Sequence, residues 1–395
     1  MFFKVKELIV YTSQYLNKFN PKYVALKILS ILVRPLFLWY LISENHSEAN
    51  LFAQILFLNQ ILIYFTGTQI HKDYFDNLKN RRHEFRINSF TEGLILAPIA
   101  VLSLFFVNLF NIELIIYILI ITPFEKIIDD YQRELSYSGD NTTMAMVLFL
   151  RNIIIVIVFI FSLLFNINPL KLIIIIPVIY LILFKLLKFK IFFLKILSLK
   201  NFKKMIERIL TLGIMGVLWS MATSMVIQYD KIAFNLTGEN FGEYFLRFQI
   251  LQIAFISYTT LSFIPNRYLV LENQKLFEQS IKKFMPLYIL FLIFLFIMTE
   301  ILSRNFLLIP IIDLEISILQ TLILLVVLIS HSYTEIIFWK FPLKKICIYE
   351  FIGFMLIISI VFMLSFINIS LFFLMIIILI YLIGRYLILL KCNSL

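Results

Sequence analysis

The chain has 395 residues, 61% hydrophobic and 15% charged, with a mean hydropathy of +0.95. A water-soluble fold needs more polar surface than that, so the balance excludes a soluble globular protein and points to an all-α polytopic membrane protein. The net charge of +11 does not imply nucleic acid, because the basic residues fall in alternate loops and not on one face.

In chain order, residues 1–20 come first. They set Lys4, Lys6 and Lys18 beside Val5, Leu8, Ile9 and Leu16 on one helical face. That is the pattern of an interfacial amphipathic helix and not of a cleavable leader. Apolar stretches follow at 22–42, 51–70, 89–110, 112–130, 143–165, 169–186, 209–229, 243–265, 284–303, 314–338, 346–367 and 369–390. Each is close to the ~20 residues that a helical crossing needs, so twelve transmembrane helices are expected.

One set of loops, with the two terminal arms, holds 27 of the 35 Lys and Arg. The other set holds only Lys231 and Arg304. This asymmetry predicts that both termini are cytoplasmic. The longest basic segment lies at the midpoint of the chain. It divides an amino-terminal six-helix bundle over 1–190 from a carboxy-terminal one over 209–395, with a basic cytoplasmic linker over 191–208. Aligning Phe52 with Tyr244 also aligns Gln60 with Gln252, both at an offset of 192. Each half then starts on the same side, so the repeat is parallel and its pseudo-two-fold axis runs along the membrane normal.

Charges inside the spans narrow the function. Lys27 and Arg34 are seven residues apart, on one face of the first helix. Arg151 lies in the fifth span, and Arg247 opens the eighth. These cations either line a hydrated cavity that attracts an anion such as a phosphate, or snorkel to the two interfaces. Few acids are expected at their depth. Gly213, Gly216, Ser220, Thr223, Ser224 and Gln228 share one face of the seventh span, suited to close packing or to a hydrated path. Gln60 and Gln252 add polarity to the second and eighth. The span-end acids Glu92, Glu300 and Glu335 could couple transport to H⁺ or Na⁺, or simply sit at the interfaces. Asp230 beside Lys231 reads as a local ion pair. There is no Walker loop, and the four His and two Cys fit no metal or redox spacing, so no cofactor is expected.

One segment carries a resemblance. Asp230-Lys231-Ile232-Ala233-Phe234, then Leu236-Thr237-Gly238 and Phe241-Gly242-Glu243-Tyr244, resembles the turn from seventh to eighth helix in bacterial polysaccharide flippases. Those belong to the superfamily of multidrug, oligosaccharidyl-lipid and polysaccharide exporters. Leu41-Ile42-Ser43-Glu44 and Ala49-Asn50-Leu51-Phe52-Ala53 are similar to the first-half counterpart, departing at Asn50 where the family often has Gly. The resemblance implies a flippase, not an enzyme. It would move an undecaprenyl-pyrophosphate-linked oligosaccharide, the repeat unit of O-antigen or capsule, across the bacterial inner membrane by alternating access. It would work beside other membrane proteins of polysaccharide assembly. The resemblance carries substrate binding to Lys27 and Arg34 first, then to Arg151, Asp230, Lys231 and Arg247. The alternatives are a drug/cation antiporter of the same superfamily, which favours acids in the cavity, and a polysaccharide polymerase, which needs a larger outer loop.

Overall fold

Asparagine and proline punctuate the helices. The computed structural model of the chain describes residues 21–67, 78–107, 111–138, 141–186, 199–237, 240–262, 274–304, 312–340, 343–367 and 369–394. The amphipathic helix expected over 1–20 lies outside them. Helix α1 covers Pro21–Glu44 and α2 covers His46–Phe65. Asn45 separates them. Its extended backbone ends α1, and its side-chain oxygen caps α2 by accepting from the N–H groups of Ser47 and Glu48. Helix α3 is Leu78–Ala100. Pro98 deprives it of a backbone donor, and three residues later the coil tightens to a 3₁₀ turn over Val101–Ser103.

Helix α4 is Ile112–Ser138 and α5 is Asn141–Phe165. Asn166, at φ 52°, ends α5. The Asn166 N–H donates to the Leu163 carbonyl and the Ile167 N–H to the Ser162 carbonyl, so the last turn closes as a Schellman motif with Asn in the left-handed position. Asn168 then caps α6, with Pro169 in its first turn. Helix α6 comprises Pro169–Leu172 and Ile176–Leu186, joined by a 3₁₀ turn.

The second half holds α7 (Leu199–Arg208), α8 (Ile214–Ser224), α9 (Tyr229–Thr237), α10 (Phe241–Ser262), α11 (Gln274–Arg304), α12 (Leu314–Lys340), α13 (Leu343–Phe366) and α14 (Leu371–Ser394). Residues 199–208, expected within a linker, are therefore helical. They run through a π turn into α8, with a bend of 57°. Among the described residues there is no strand.

Among the described residues, eight helices are long and apolar enough to cross a bilayer: α1, α2, α3 with its continuation to Val107, α5, α11, α12, α13 and α14. The bent run through α7, α8 and α9 makes a ninth if it is one crossing. The chain is thus an all-helical membrane protein. Other expected crossings fall short for physical reasons. Glu125, Lys126, Asp129, Asp130 and Glu134 crowd the second half of α4. The apolar part of α6 is short. Arg247, Gln249 and Gln252 interrupt α10.

Packing places α2 and α10 at the centre. The rings of Phe57 and Phe241 are 5.7 Å apart, and the Gly242 N–H donates to Asn50 Oδ1 at 2.7 Å. A Cβ on Gly242 would come within 3.2 Å of the Ala49 carbonyl carbon, so small residues here let two helices meet backbone to backbone. Helix α1 lies along α5, α3 along α4, α8 along α13, α10 along α11 and α12 along α14. One apolar core runs through both halves.

Candidate functional site

The first half encloses a charged cluster built by α1, α2, α4, α5 and α6. Arg34 lies thirteen residues into α1, about 20 Å along its axis at 1.5 Å per residue. Glu125 of α4 is 3% exposed. Its Oε2 comes within 2.5 Å of Arg151 Nη2, and its Oε1 accepts a hydrogen bond of 2.9 Å from the Tyr180 hydroxyl. Two turns back along α4, the Tyr117 hydroxyl donates to Asn59 Oδ1 of α2 at 3.0 Å. Asn152, next to Arg151, donates to the Ser30 carbonyl at 2.5 Å and ties α5 to α1.

Arg34, half-buried, differs from the three arginines held inside the helix packing. Arg151, Arg247 and Arg385 each have a carboxylate partner. Arg34 forms no ion pair or hydrogen bond with the described residues, and its Nε is shut off from solvent. It lies within electrostatic reach of Arg151, Glu125, Tyr180 and Tyr117. The Nε of Arg151 is also enclosed and without a partner among the described residues, while its Nη2 meets Glu125 Oε2. Glu125 is therefore taken by Arg151, and Arg34 feels it only at a distance. Asp129 also lies within electrostatic reach of Arg151, so the surplus is one of donors and not of net charge: Arg34 keeps guanidinium N–H groups without a partner among the described residues, which is the chemistry of an anion site. Lys27 lies two turns back on the same helix, half-buried.

The other charged residues that the sequence points to lie apart from this cluster. Asp230 and Lys231 are both 0% exposed. Lys231 Nζ donates to Asp230 Oδ1 at 2.6 Å and stands 3.4 Å from the centre of the Phe248 ring. The Tyr244 hydroxyl donates to Asp230 Oδ2 at 2.5 Å. The pair is satisfied where it sits, and the helix carries on past it to Thr237.

Arg247 is likewise buried, held by Glu300 and by Ser317 Oγ at 2.6 Å. Glu300 also accepts from Arg304 Nε at 2.8 Å and from Ser317 Oγ at 2.5 Å. This knot joins α10, α11 and α12. Glu92 pairs with Lys126 at 3.4 Å, and Lys126 also meets Asp130 at 3.1 Å. The side chain of Glu335 lies outside the described residues. The expectation of few acids beside the buried cations is overturned, since Glu125 meets Arg151 and Glu300 meets Arg247.

Gln60 accepts from Gln228 Nε2 at 3.4 Å, while Gln252 on α10 is half-buried. Gln54 donates to Asn235 Oδ1 at 3.0 Å, and Asn235 Nδ2 donates to the Val107 carbonyl at 2.5 Å. Ser220 packs directly on Gly67, where a Cβ would lie 2.1 Å from its Oγ. The small-residue stripe therefore serves helix packing at Ser220.

Sequence reasoning missed two features. One is Glu125. The other is a buried pair at the far end of the second half, where Arg385 Nε donates to Glu350 Oε2 at 2.8 Å and Nη2 to Thr334 Oγ1 at 3.2 Å. A signal for it was present. Glu350 lies four residues into the expected span 346–367, and Arg385 five from the end of 369–390. In antiparallel neighbours those are matched depths. Among the described residues, no three His, Cys, Asp or Glu side chains group to hold a metal ion.

Family models, curated proteins and solved structures were each searched with this chain, and none of them matches it.

Proposed function

We propose that the chain is a carrier that binds an anionic lipid headgroup and moves it across the membrane. Its substrate is a lipid-linked oligosaccharide joined through pyrophosphate. Arg34 carries this reading: it is a guanidinium well inside an apolar helix with no carboxylate partner among the described residues. A charge at that depth costs about 2.5–3.5 kcal/mol on insertion scales. Of these arginines, Arg34 is the one without a direct partner among the described residues, and a pyrophosphate would supply one. Arg151 lies within reach of the same anion. Lys27 would guide the headgroup in from the cytoplasmic side, while the lipid tail stays between helices.

The same reading takes α4, α6, the bent run and α10 as crossings too, giving twelve helices in two bundles, both termini inside, in a bacterial inner membrane. A parallel repeat brings residues near its axis against their own counterparts. Asn50 and Gly242 are 192 positions apart, and they touch. Together with the Gln54, Asn235 and Val107 contacts, this pair would close the outer end of the path. Reorientation of the halves would part it.

The test is made in cells. Arg34→Ala should abolish surface glycan and leave the lipid-linked intermediate to accumulate, while the protein still inserts. Arg34→Lys should restore part of the export. Normal export from Arg34→Ala would remove the anion site from the account. A second reading, a drug/cation antiporter, is favoured by the buried carboxylate of Glu125. Drug efflux that depends on Glu125 and not on Arg34 would select it.

A further inference from the structure

Glu125 is more than a partner for Arg151. We propose that it is a tethered counter-anion, which occupies the Arg34 and Arg151 site in the empty carrier and competes with the incoming anion. This rests on reading the Arg34 cluster as the anion site.

Three observations carry the proposal. Glu125 is almost wholly buried, so no water screens its charge. Its Oε2 meets Arg151 Nη2 at 2.5 Å, so its charge is spent on Arg151 and not on Arg34. The Nε atoms of Arg34 and Arg151 are also enclosed and unpartnered. The cluster thus holds two cations, Glu125 against one of them, a second carboxylate in Asp129 within electrostatic reach of Arg151, and two guanidinium Nε atoms without a partner among the described residues. A fold built only for stability would complete such a network, since an incomplete one is worse than none. Tyr180 gives the carboxylate an anchor on α6 at Oε1, and Oε2 is the oxygen free to yield its cation.

The electrostatics set the size of the effect. A unit carboxylate about 6 Å from a bound anion, at an effective dielectric constant of about 20, weakens binding by about a hundredfold. Desolvation and relaxation reduce this, so a gain between about tenfold and a hundredfold is expected when the charge is removed. The tethered anion keeps Arg34 and Arg151 from trapping stray phosphate.

The test uses the full chain purified in detergent, with radiolabelled inorganic pyrophosphate as the probe. Glu125→Gln should bind pyrophosphate at least about tenfold more tightly than the wild type, and adding Arg34→Ala should abolish the gain. Glu125→Asp keeps the charge but draws it back by one methylene. It should give an intermediate gain, and it carries the test if the amide does not fold. Farnesyl pyrophosphate in a parallel titration separates a lipid headgroup, which binds more tightly than the free ion, from a free anion, which does not. In either case the gain supports the proposal. Binding no tighter in both Glu125 variants, or a gain that survives Arg34→Ala, overturns it. Loss of glycan export is a separate readout in cells. If the gain appears but Arg34→Ala exports normally, the counter-anion stands and the flippase reading falls.

Discussion

Replacing Arg34 by methionine separates a functional charge from a structural one. Methionine is unbranched and of similar reach, so it fills the space without the charge. An isolated guanidinium at this depth costs about 2.5–3.5 kcal/mol on insertion scales. Glu125 returns little of that, because its carboxylate already lies 2.5 Å from Arg151, and Arg151 itself repels Arg34. Arg34→Met is therefore expected to stabilise the fold by about 1–3 kcal/mol, in the range seen when buried charges give way to apolar groups. The same substitution should abolish export. Arg151→Met should do the opposite to stability: it leaves Glu125 buried and unpaired, at a cost of about 3–5 kcal/mol. The assay is the unfolding midpoint of the purified protein in detergent, read beside glycan export in cells. Should Arg34→Met unfold as readily as Arg151→Met, or retain export, Arg34 is part of the scaffold and the reasoning fails.

Three further expectations follow from the packing. Gly67→Ala would set a Cβ 2.1 Å from Ser220 Oγ and 2.5 Å from its Cβ. It should destabilise by about 1–3 kcal/mol in thermal melts, and Ser220→Gly should restore the loss. Glu300→Gln strips Arg247 of its buried counter-charge and should cost about 3–5 kcal/mol by denaturant unfolding. Ser317→Ala removes only a hydroxyl partner and should cost about 1 kcal/mol. Cysteines at Asn50 and Gly242, whose side chain and backbone touch at 2.7 Å, should react with a short thiol cross-linker. The link should stop export, and reduction of a cleavable linker should restore it; export that continues through the link would mean that this contact does not open.

What the sequence carried and what it did not divides along chain distance. Helix ends were written locally: Asn45, Asn166 and Asn168 act within a few residues of themselves, and of the twelve stretches marked by apolar length, eight are helices long and apolar enough to cross among the described residues. The pairing of Asp230 with Lys231 was legible because the two are neighbours. Glu125 was not legible as a partner of Arg151, since the two lie 26 positions apart on separate helices and only packing brings them together. Crowded charge over 125–134 made that stretch read as the end of a span, whereas α4 continues through it to Ser138. The Lys126 and Asp130 pair was readable, because a spacing of four places them on one face. The cations named from sequence proved to be of two kinds. Arg247 and Lys231 each meet a carboxylate directly, while Arg34 meets none among the described residues, and helix periodicity alone does not separate them.

The most direct measurement is leaflet transfer by the purified chain in proteoliposomes, using an oligosaccharide joined to a polyprenyl lipid through pyrophosphate. Wild-type protein should move the lipid from one leaflet to the other, and Arg34→Ala in equal amount should leave it where it was added. Equal transfer by both, or transfer by neither while the same preparation expels cationic drugs, would contradict the account.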